Sequence, residues 1–285
     1  PMTLVVAAGS GIFLARRALQ PIDEIAAKAR QISATDLSRR LDLPHSNDEV
    51  GHLVATLDEM LDRLDRAFQR QRQFTADASH ELRTPLAVIR SEAEAALKRP
   101  HSPEEYRQAL KVIRDHAIWM GNLGAKLRIL ARSNDQQEQL ERETLNLADL
   151  VEGVTAEFQG MAEAKGLELV KVIKENVNIY GDQTRLTQLL ANLLDNAIKY
   201  TPAGKVVVSL ERLGKWALLV IKDTGVGIPP EHLPHIFERF YRVDKARSRA
   251  EGGFGLGLSI CEWIVRAHNG KIEVESSVGQ GTTFK

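Results

Sequence analysis

The chain has 285 residues, enough for more than one domain of ordinary size. Its 43% apolar and 27% charged residues fit a globular protein with real cores and exclude a disordered chain. Lys+Arg and Asp+Glu both total 38, so no basic excess marks a nucleic-acid binder, and the single cysteine, Cys261, excludes an internal disulfide framework. Cys261 sits in the apolar run 258–265 and reads as a small core residue rather than a reactive thiol.

Residues 2–15 (MTLVVAAGSGIFLA) are apolar and small, and Arg16-Arg17 come directly after them. A membrane-spanning helix needs about 20 such residues, so this run is too short alone. It reads as the end of a truncated transmembrane helix over residues 1–15, with the arginines placing the chain beyond them on the cytoplasmic side. The plainer reading is a buried helix start. An opening Pro1 in place of methionine suits a fragment.

Ile22, Ile25, Ala29 and Ile32 then fall at heptad spacing, the seam of a coiled coil. A polar connector, TDLSRRLDLPHSNDE, comes next, with Pro44 as a breaker. A second heptad run reads Val50, Leu53, Leu57, Met60, Leu64 and Ala67. Helix, extended connector and helix, with Pro21 near the start and Asp48-Glu49-Val50-Gly51 at the second helix, resemble a HAMP linker over residues 16–68.

The second run continues into residues 69–99, with a seam at Phe74, Ala78, Leu82, Leu86, Ile89, Ala93 and Ala96. From 74 to 86 every step is four residues, a stutter that relaxes supercoiling across His80. Pro100 ends the helix. Ser102-Pro103-Glu104-Glu105 has the form of a capping box with proline at N1. The helix it opens carries the seam Tyr106, Leu110, Ile113, Ala117, Met120, Gly124 and Leu127. Such an antiparallel hairpin cannot close a core alone, so two copies of residues 69–134 are expected to dimerise into a four-helix bundle.

The polar stretch SNDQQEQLERE makes residues 135–143 a linker. Beyond it the pattern changes. A helix is expected over 147–165 with Gly166 as its stop, and helices over 184–200 and 256–268. Strands are expected over 167–173, 205–210, 216–222 and 271–275, with a last strand clipped at the end of the chain. Mixed strands and helices make residues 144–285 a two-layer α/β domain.

The sharpest motif is Ser79-His80-Glu81-Leu82-Arg83-Thr84-Pro85. His80 lies two residues from the seam residue Leu82, about 200° around the helix, so it points to solvent. A neutral imidazole is a nucleophile near neutral pH and can accept a phosphoryl group. Glu81 can orient the ring and take its proton. Thr84 is one turn on, on the same face, where a hydroxyl could position a water for the reverse hydrolysis. Pro85 has no N–H, so the Glu81 carbonyl loses its helical donor and a bend is expected there. A lone surface histidine would mean little, but HELRTP in full resembles the H-box of the dimerisation and histidine-phosphotransfer domain of sensor kinases.

In LLANLLDNAIKY, residues Asn192, Asn196 and Lys199 share one helix face, while Leu186, Leu189, Leu190, Leu193, Leu194, Ala197 and Ile198 fill the other. A carboxamide oxygen suits Mg²⁺ and a lysine suits phosphate, though a plain amphipathic helix reads the same. Asp223-Thr224-Gly225-Val226-Gly227 comes straight after a strand, where a carboxylate can accept an adenine N–H and glycines allow close approach; an ordinary turn is the bland alternative. Gly252-Gly253-Phe254-Gly255-Leu256-Gly257 opens a helix, as phosphate sites do. No βαβ unit surrounds these glycines, which removes a Rossmann reading.

In this order the runs resemble the N, G1, F (Phe237–Phe240), G2 and G3 (Gly279–Thr282) boxes of the GHKL, or Bergerat-fold, ATP-binding domain. The whole chain resembles a sensor histidine kinase of two-component systems, and TADASHELRTPLAVIR is similar to the metal-responsive type. The resemblance implies ATP and Mg²⁺ as cofactors, with Asn196 holding the metal. It implies nucleotide contacts from Asn192, Lys199, Tyr200, Asp223, Gly225, Gly227, Gly253, Gly255, Leu256, Gly257 and Thr282, and a mobile lid between Arg242 and Gly252. It further implies a homodimer anchored in the bacterial inner membrane, autophosphorylation of His80, and transfer to an aspartate of a response-regulator receiver domain, with phosphatase activity through Thr84.

Three rivals stand beside it. A GHKL ATPase such as gyrase or MutL carries a water-activating glutamate four residues before the metal-binding asparagine; here that residue is Asn192, which is no base at neutral pH. A serine-phosphorylating anti-sigma kinase is the second, but that family has no H-box hairpin. A non-catalytic scaffold with intact boxes is the third.

Overall fold

The computed structural model describes Gln20, Ile22, residues 25–28 and Arg30, then residues 49–100, 102–132, 140–244 and 253–285. The apolar run before Arg16, seam positions Ala29 and Ile32, the connector with Pro44, linker residues 135–139 and the lid segment 245–252 lie outside the described residues. The chain divides into two compact units, Pro1–Ser79 and His80–Lys285. Among the described residues no helix is long and apolar enough to cross a membrane.

Helix α1 spans Glu49–Lys98 and so joins the second heptad run to the H-box segment, the helix continuing through the stutter at 74–86. In the first unit its core contact is Val54 and Leu61 with Ile25, flanked by Val50 and Leu57. Leu53, Met60 and Leu64, which the heptad reading placed on the same seam, are exposed. The cause is the width of the apolar stripe. Positions 50, 53, 54, 57, 60, 61 and 64 cover more of the surface than one neighbouring helix can bury, and Ile25 takes the 54/61 edge.

In the second unit α2 spans Pro103–Arg132. Its start is a reciprocal box: the Ser102 N–H donates to Glu105 Oε2 at 2.7 Å, and the Glu105 N–H donates to Ser102 Oγ at 3.3 Å. Leu123 and Leu130 are buried, whereas Leu86 and Leu97 on α1 and Leu110 and Ile118 on α2 remain exposed.

The α/β part begins with β1 (Glu143–Asn146), then α3 (Leu147–Ala164), β2 (Leu167–Ile173), β3 (Asn178–Gly181) and α4 (Gln183–Tyr200). It continues with β4 (Gly204–Leu213), β5 (Trp216–Asp223), a 3₁₀ turn at Leu233–His235, α5 (Gly257–Ala267), β6 (Val274–Ser277) and β7 (Gly281–Phe284). A five-stranded sheet runs in the order β2-β4-β5-β7-β6, and β1 pairs with β3 in a separate two-stranded ribbon. β2 and β4 are parallel; the other pairs are antiparallel.

The helical layer forms because its sequences have one apolar face each. Gly166, at φ 71°, stops α3. The Asp182 carboxylate caps α4 by accepting from the Arg185 N–H at 3.0 Å. Along β4, Val206, Val208 and Leu210 alternate inward and are buried beneath the helices. The apolar face of α4 is fully used, since Leu186, Leu189, Leu190, Leu193, Leu194, Ala197 and Ile198 are all buried. At about 1.5–3 kcal/mol for each large side chain, this burial fixes the rotation of α4 about its axis. The Asn192–Asn196–Lys199 face is thereby turned away from the sheet.

Candidate functional site

β5 delivers Asp223 to the end of the sheet, where the residue is only 6% exposed. Oδ1 accepts from the Gly225 N–H at 2.8 Å and from the Thr282 N–H at 3.1 Å. Among the described residues Oδ2 takes no hydrogen bond. The surrounding turns are too tight for side chains. A Cβ on Gly225 would strike the Tyr200 carbonyl oxygen, and one on Gly281, at φ 97°, would strike the carbonyl of Asp223. The G1 turn is laced to the β6–β7 hairpin: Gly279 N–H donates to the Val226 carbonyl at 2.8 Å and Ile228 N–H to Ser276 Oγ at 2.8 Å. Ser276 Oγ also lies 2.9 Å from Thr282 Oγ1.

Burial pushes the Asp223 carboxyl above the ordinary carboxylate range, and the Gly225 and Thr282 N–H groups pull it part of the way back. A folded-state pKa above the unfolded one means the folded chain binds the extra proton in that window, so this group's contribution to stability falls as pH rises through it. Asp223→Asn removes that titration while keeping an acceptor for both N–H groups. The variant is expected to match or exceed the parent Tm at neutral pH and to lose that advantage on acidification, read as the Tm difference from about pH 4 to about pH 8. Its ATP affinity is expected to fall roughly tenfold to a hundredfold, because the atom facing the cleft becomes a donor.

The second wall is the polar face of α4 and the start of α5. Lys165 donates to the carbonyls of Ile198 and Lys199 at 2.8 and 2.7 Å, satisfying the C-terminal end of α4. α5 starts without a side-chain cap and without an acid in its first turn. Its first N–H groups are therefore suited to an anion. The approach is shaped by Gly255, at φ 69°, where a Cβ would stand 2.8 Å from the Tyr241 carbonyl oxygen. Asn192 packs against this start, with Oδ1 3.7 Å from where a Cβ on Gly257 would stand. Nδ2 of Asn192 is buried and has no hydrogen-bond partner of ordinary geometry. Its neighbour Cys261 is buried, with its thiol pushed up to about 12 by desolvation, and is the inert core residue expected.

These walls enclose a cleft of roughly 270 Å³ lined by Asn192, Asn196, Lys199, Tyr200, Asp223, Gly227, Gly253, Gly255, Gly257 and Thr282. Gly225 and Leu256 do not line it: Gly225 packs behind Asp223 and Tyr200, and Leu256 is completely buried at the N-cap of α5. Sequence reasoning did not assign Ile228, Ile236, Tyr241, Arg242, Phe254 or Lys126, all of which line the cleft. The isoleucines carried no signal beyond ordinary core hydrophobicity, and Lys126 lies on α2, far away in sequence. The donor set suits a purine nucleotide with a divalent cation: a half-paired buried carboxyl, an uncapped helix start, carboxamides at Asn192 and Asn196, and the cation Lys199.

His80, Glu81 and Thr84 are not in the cleft lining. His80 is exposed on α1, as its position opposite Leu82 required, and its carbonyl accepts from Thr84 Oγ1 at 3.5 Å. Glu81 is turned to the α/β part, where its Oε2 lies 3.7 Å from the guanidinium of Arg242. Arg242 thus touches the carboxylate beside His80 while lining the cleft. On α2, Trp119 packs its ring 4.6 Å from that of Phe254.

Three family models match the chain: a HAMP domain over residues 13–66, a His Kinase A (phospho-acceptor) domain over 70–136, and a histidine kinase-, DNA gyrase B- and HSP90-like ATPase over 181–285. The sensor protein CutS of Streptomyces coelicolor is 36% identical over 99% of this chain and 68% of its own length. The sensor histidine kinase CusS of Escherichia coli is 36% identical over 93% of this chain but only 55% of its own, so the chain spans little more than half of that relative. Among solved structures, the histidine kinase ThkA in complex with the response regulator protein TrrA superposes with a TM-score of 0.59 at 25% identity, covering 83% of this chain and 66% of that one.

Proposed function

Because the chain belongs to the sensor histidine kinases of two-component systems, we propose that it moves the γ-phosphoryl group of ATP to His80 and then to an aspartate of a response-regulator receiver domain. The observation that carries this reading is the pairing, within one compact unit, of a solvent-exposed histidine in a HELRTP helix with a cleft built for a nucleotide. Bound Mg²⁺ supplies neutralisation of triphosphate charge. Asn196 offers it a carboxamide oxygen, and the start of α5 and Lys199 meet the phosphates. Asp223 accepts the exocyclic N–H of the base, against Ile228 and Ile236.

A ring nitrogen of His80 attacks the γ-phosphorus. The N–P bond forms as the bond to the β–γ bridging oxygen breaks, ADP leaves with that electron pair, and the ring proton passes to Glu81. Asn192, standing where a hydrolase would place its base, offers water no activation. The histidine, not water, is then the acceptor. Incubating the chain with ATP labelled in the γ- or the α-phosphate tests this: label is retained from γ only, and equal or absent retention sinks the reading.

The exposed Leu86, Leu97, Leu110 and Ile118 of the hairpin, with Leu53, Met60 and Leu64 in the first unit, support a homodimer that buries them. The solved complex of ThkA with its response regulator supports the receiver domain as partner. A HAMP match beginning at residue 13 supports membrane attachment with this segment in the cytoplasm. Thr84, one turn from His80, positions the water that dephosphorylates the receiver. Thr84→Ala is expected to slow receiver dephosphorylation roughly tenfold or more while leaving autophosphorylation within about twofold. Equal loss of both would make Thr84 structural.

A further inference from the structure

Among the described residues, Lys126 is the one member of the phosphotransfer hairpin found in the lining of the nucleotide cleft. It projects from α2 to the side of the cleft formed by α4 and the glycine-rich turn. Its Nζ lies 5.1 Å from the centroid of the Phe254 ring, and Asp195, Lys199 and Cys261 are the titratable groups that influence it. Among the described residues it has no hydrogen bond and no ion pair; Asp195, the neighbouring carboxylate, is exposed and stands beyond ion-pair distance. Burial accordingly pulls the ammonium below the ordinary lysine range. A half-buried cation held only by an aromatic face is costly unless something negative comes to it. The same cleft offers Lys199 and Arg242 as further cations.

We propose that Lys126 is a nucleotide-binding residue that pairs with the polyphosphate, so that the ATP site is complete only while the hairpin is docked on the catalytic domain. This rests on the nucleotide reading of the cleft and extends it. The Trp119–Phe254 contact beside Lys126 holds the helix in place. Since Lys126 comes from α2 of the hairpin whose other helix, α1, bears the acceptor His80, binding of the polyphosphate and docking of the hairpin favour each other through one charge. Nucleotides gain from this according to their phosphates, and a nucleoside gains nothing.

The test is calorimetric titration of the whole chain with Mg·ATP and, separately, with adenosine. Binding of Mg·ATP by the parent tests the nucleotide reading itself, and its absence would remove that reading before the lysine is considered. Lys126→Met is expected to weaken Mg·ATP roughly tenfold to a hundredfold, the range of one charge-assisted contact, and to leave adenosine within about twofold. Lys126→Arg is expected to keep most of the affinity. Unchanged Mg·ATP binding by Lys126→Met would overturn the proposal. Tighter binding would also overturn it, by making the lysine a plug. An equal loss for adenosine would overturn it as well, by making the residue structural.

Discussion

His80→Gln is expected to reduce the label taken up from γ-labelled ATP to background while ATP affinity stays within about twofold. Glutamine keeps a polar side chain of similar reach, but its amide nitrogen has no lone pair free for attack, so nucleophilic catalysis is lost outright. Affinity is preserved because His80 does not line the cleft. Stability is also preserved, since the side chain is exposed and surface replacements on a helix change stability by about 0.5 kcal/mol or less. Label persisting at the parent level would place the acceptor on another residue.

Asn196→Ala is expected to lower Mg·ATP-dependent phosphorylation by at least about a hundredfold, the upper range for residues that merely support a metal ligand. Asn196 lies on the polar face of α4, half-buried, between residues whose burial holds the helix in place. Removing its carboxamide therefore leaves Leu193, Leu194 and Ala197 packed, and unfolding by denaturant is expected to be unchanged. Adenosine binding is expected to survive because Asp223 is untouched. Full phosphorylation in this variant would break the assignment of the metal ligand, and loss of adenosine binding together with ATP would show that α4 had moved.

Helices were legible in the sequence where periodicity was long and the ends were chemically marked. α4 was legible because its leucines repeat over the whole helix, whereas the Asp182 cap that starts it emerged only in the fold. The start of α2 was legible because Ser102 and Glu105 can only satisfy each other in that turn. The β1–β3 ribbon was not, since ETLN and NIYG are four residues each, largely exposed, and gain their partners from opposite sides of α3 and β2. β6 was expected over 271–275 and lies at Val274–Ser277, because its register is set by β7, where Ser277 pairs with Gly281 and Val274 with Phe284. β7 itself, a central strand between β5 and β6, read only as a clipped beginning.

The same division holds at the site. Glycines, asparagines and Asp223 were visible because few other residue types can do what their positions demand. Gly227, at φ 71°, faces the Ser277 carbonyl with no room for a side chain. Lys126 and Arg242 were not visible, because a basic residue on an amphipathic helix or in a polar loop looks like any solvated charge. Only the tertiary fold brings Lys126 to Phe254 and Arg242 to Glu81. In the first unit, Val54 and Leu61 lie off the expected heptad seam for the same reason: a wide apolar stripe does not say which of its edges a neighbour will cover.

The measurement that bears most directly on the whole is the chemical identity of the phosphorylated product. The chain is incubated with Mg²⁺ and γ-labelled ATP, divided between acid and alkali, and the alkali-treated part is digested and mapped by mass spectrometry. The expected result is label that acid releases and alkali spares, located on the peptide containing His80. Acid-stable label on a hydroxyl side chain, or free phosphate with nothing retained on that peptide, would contradict it.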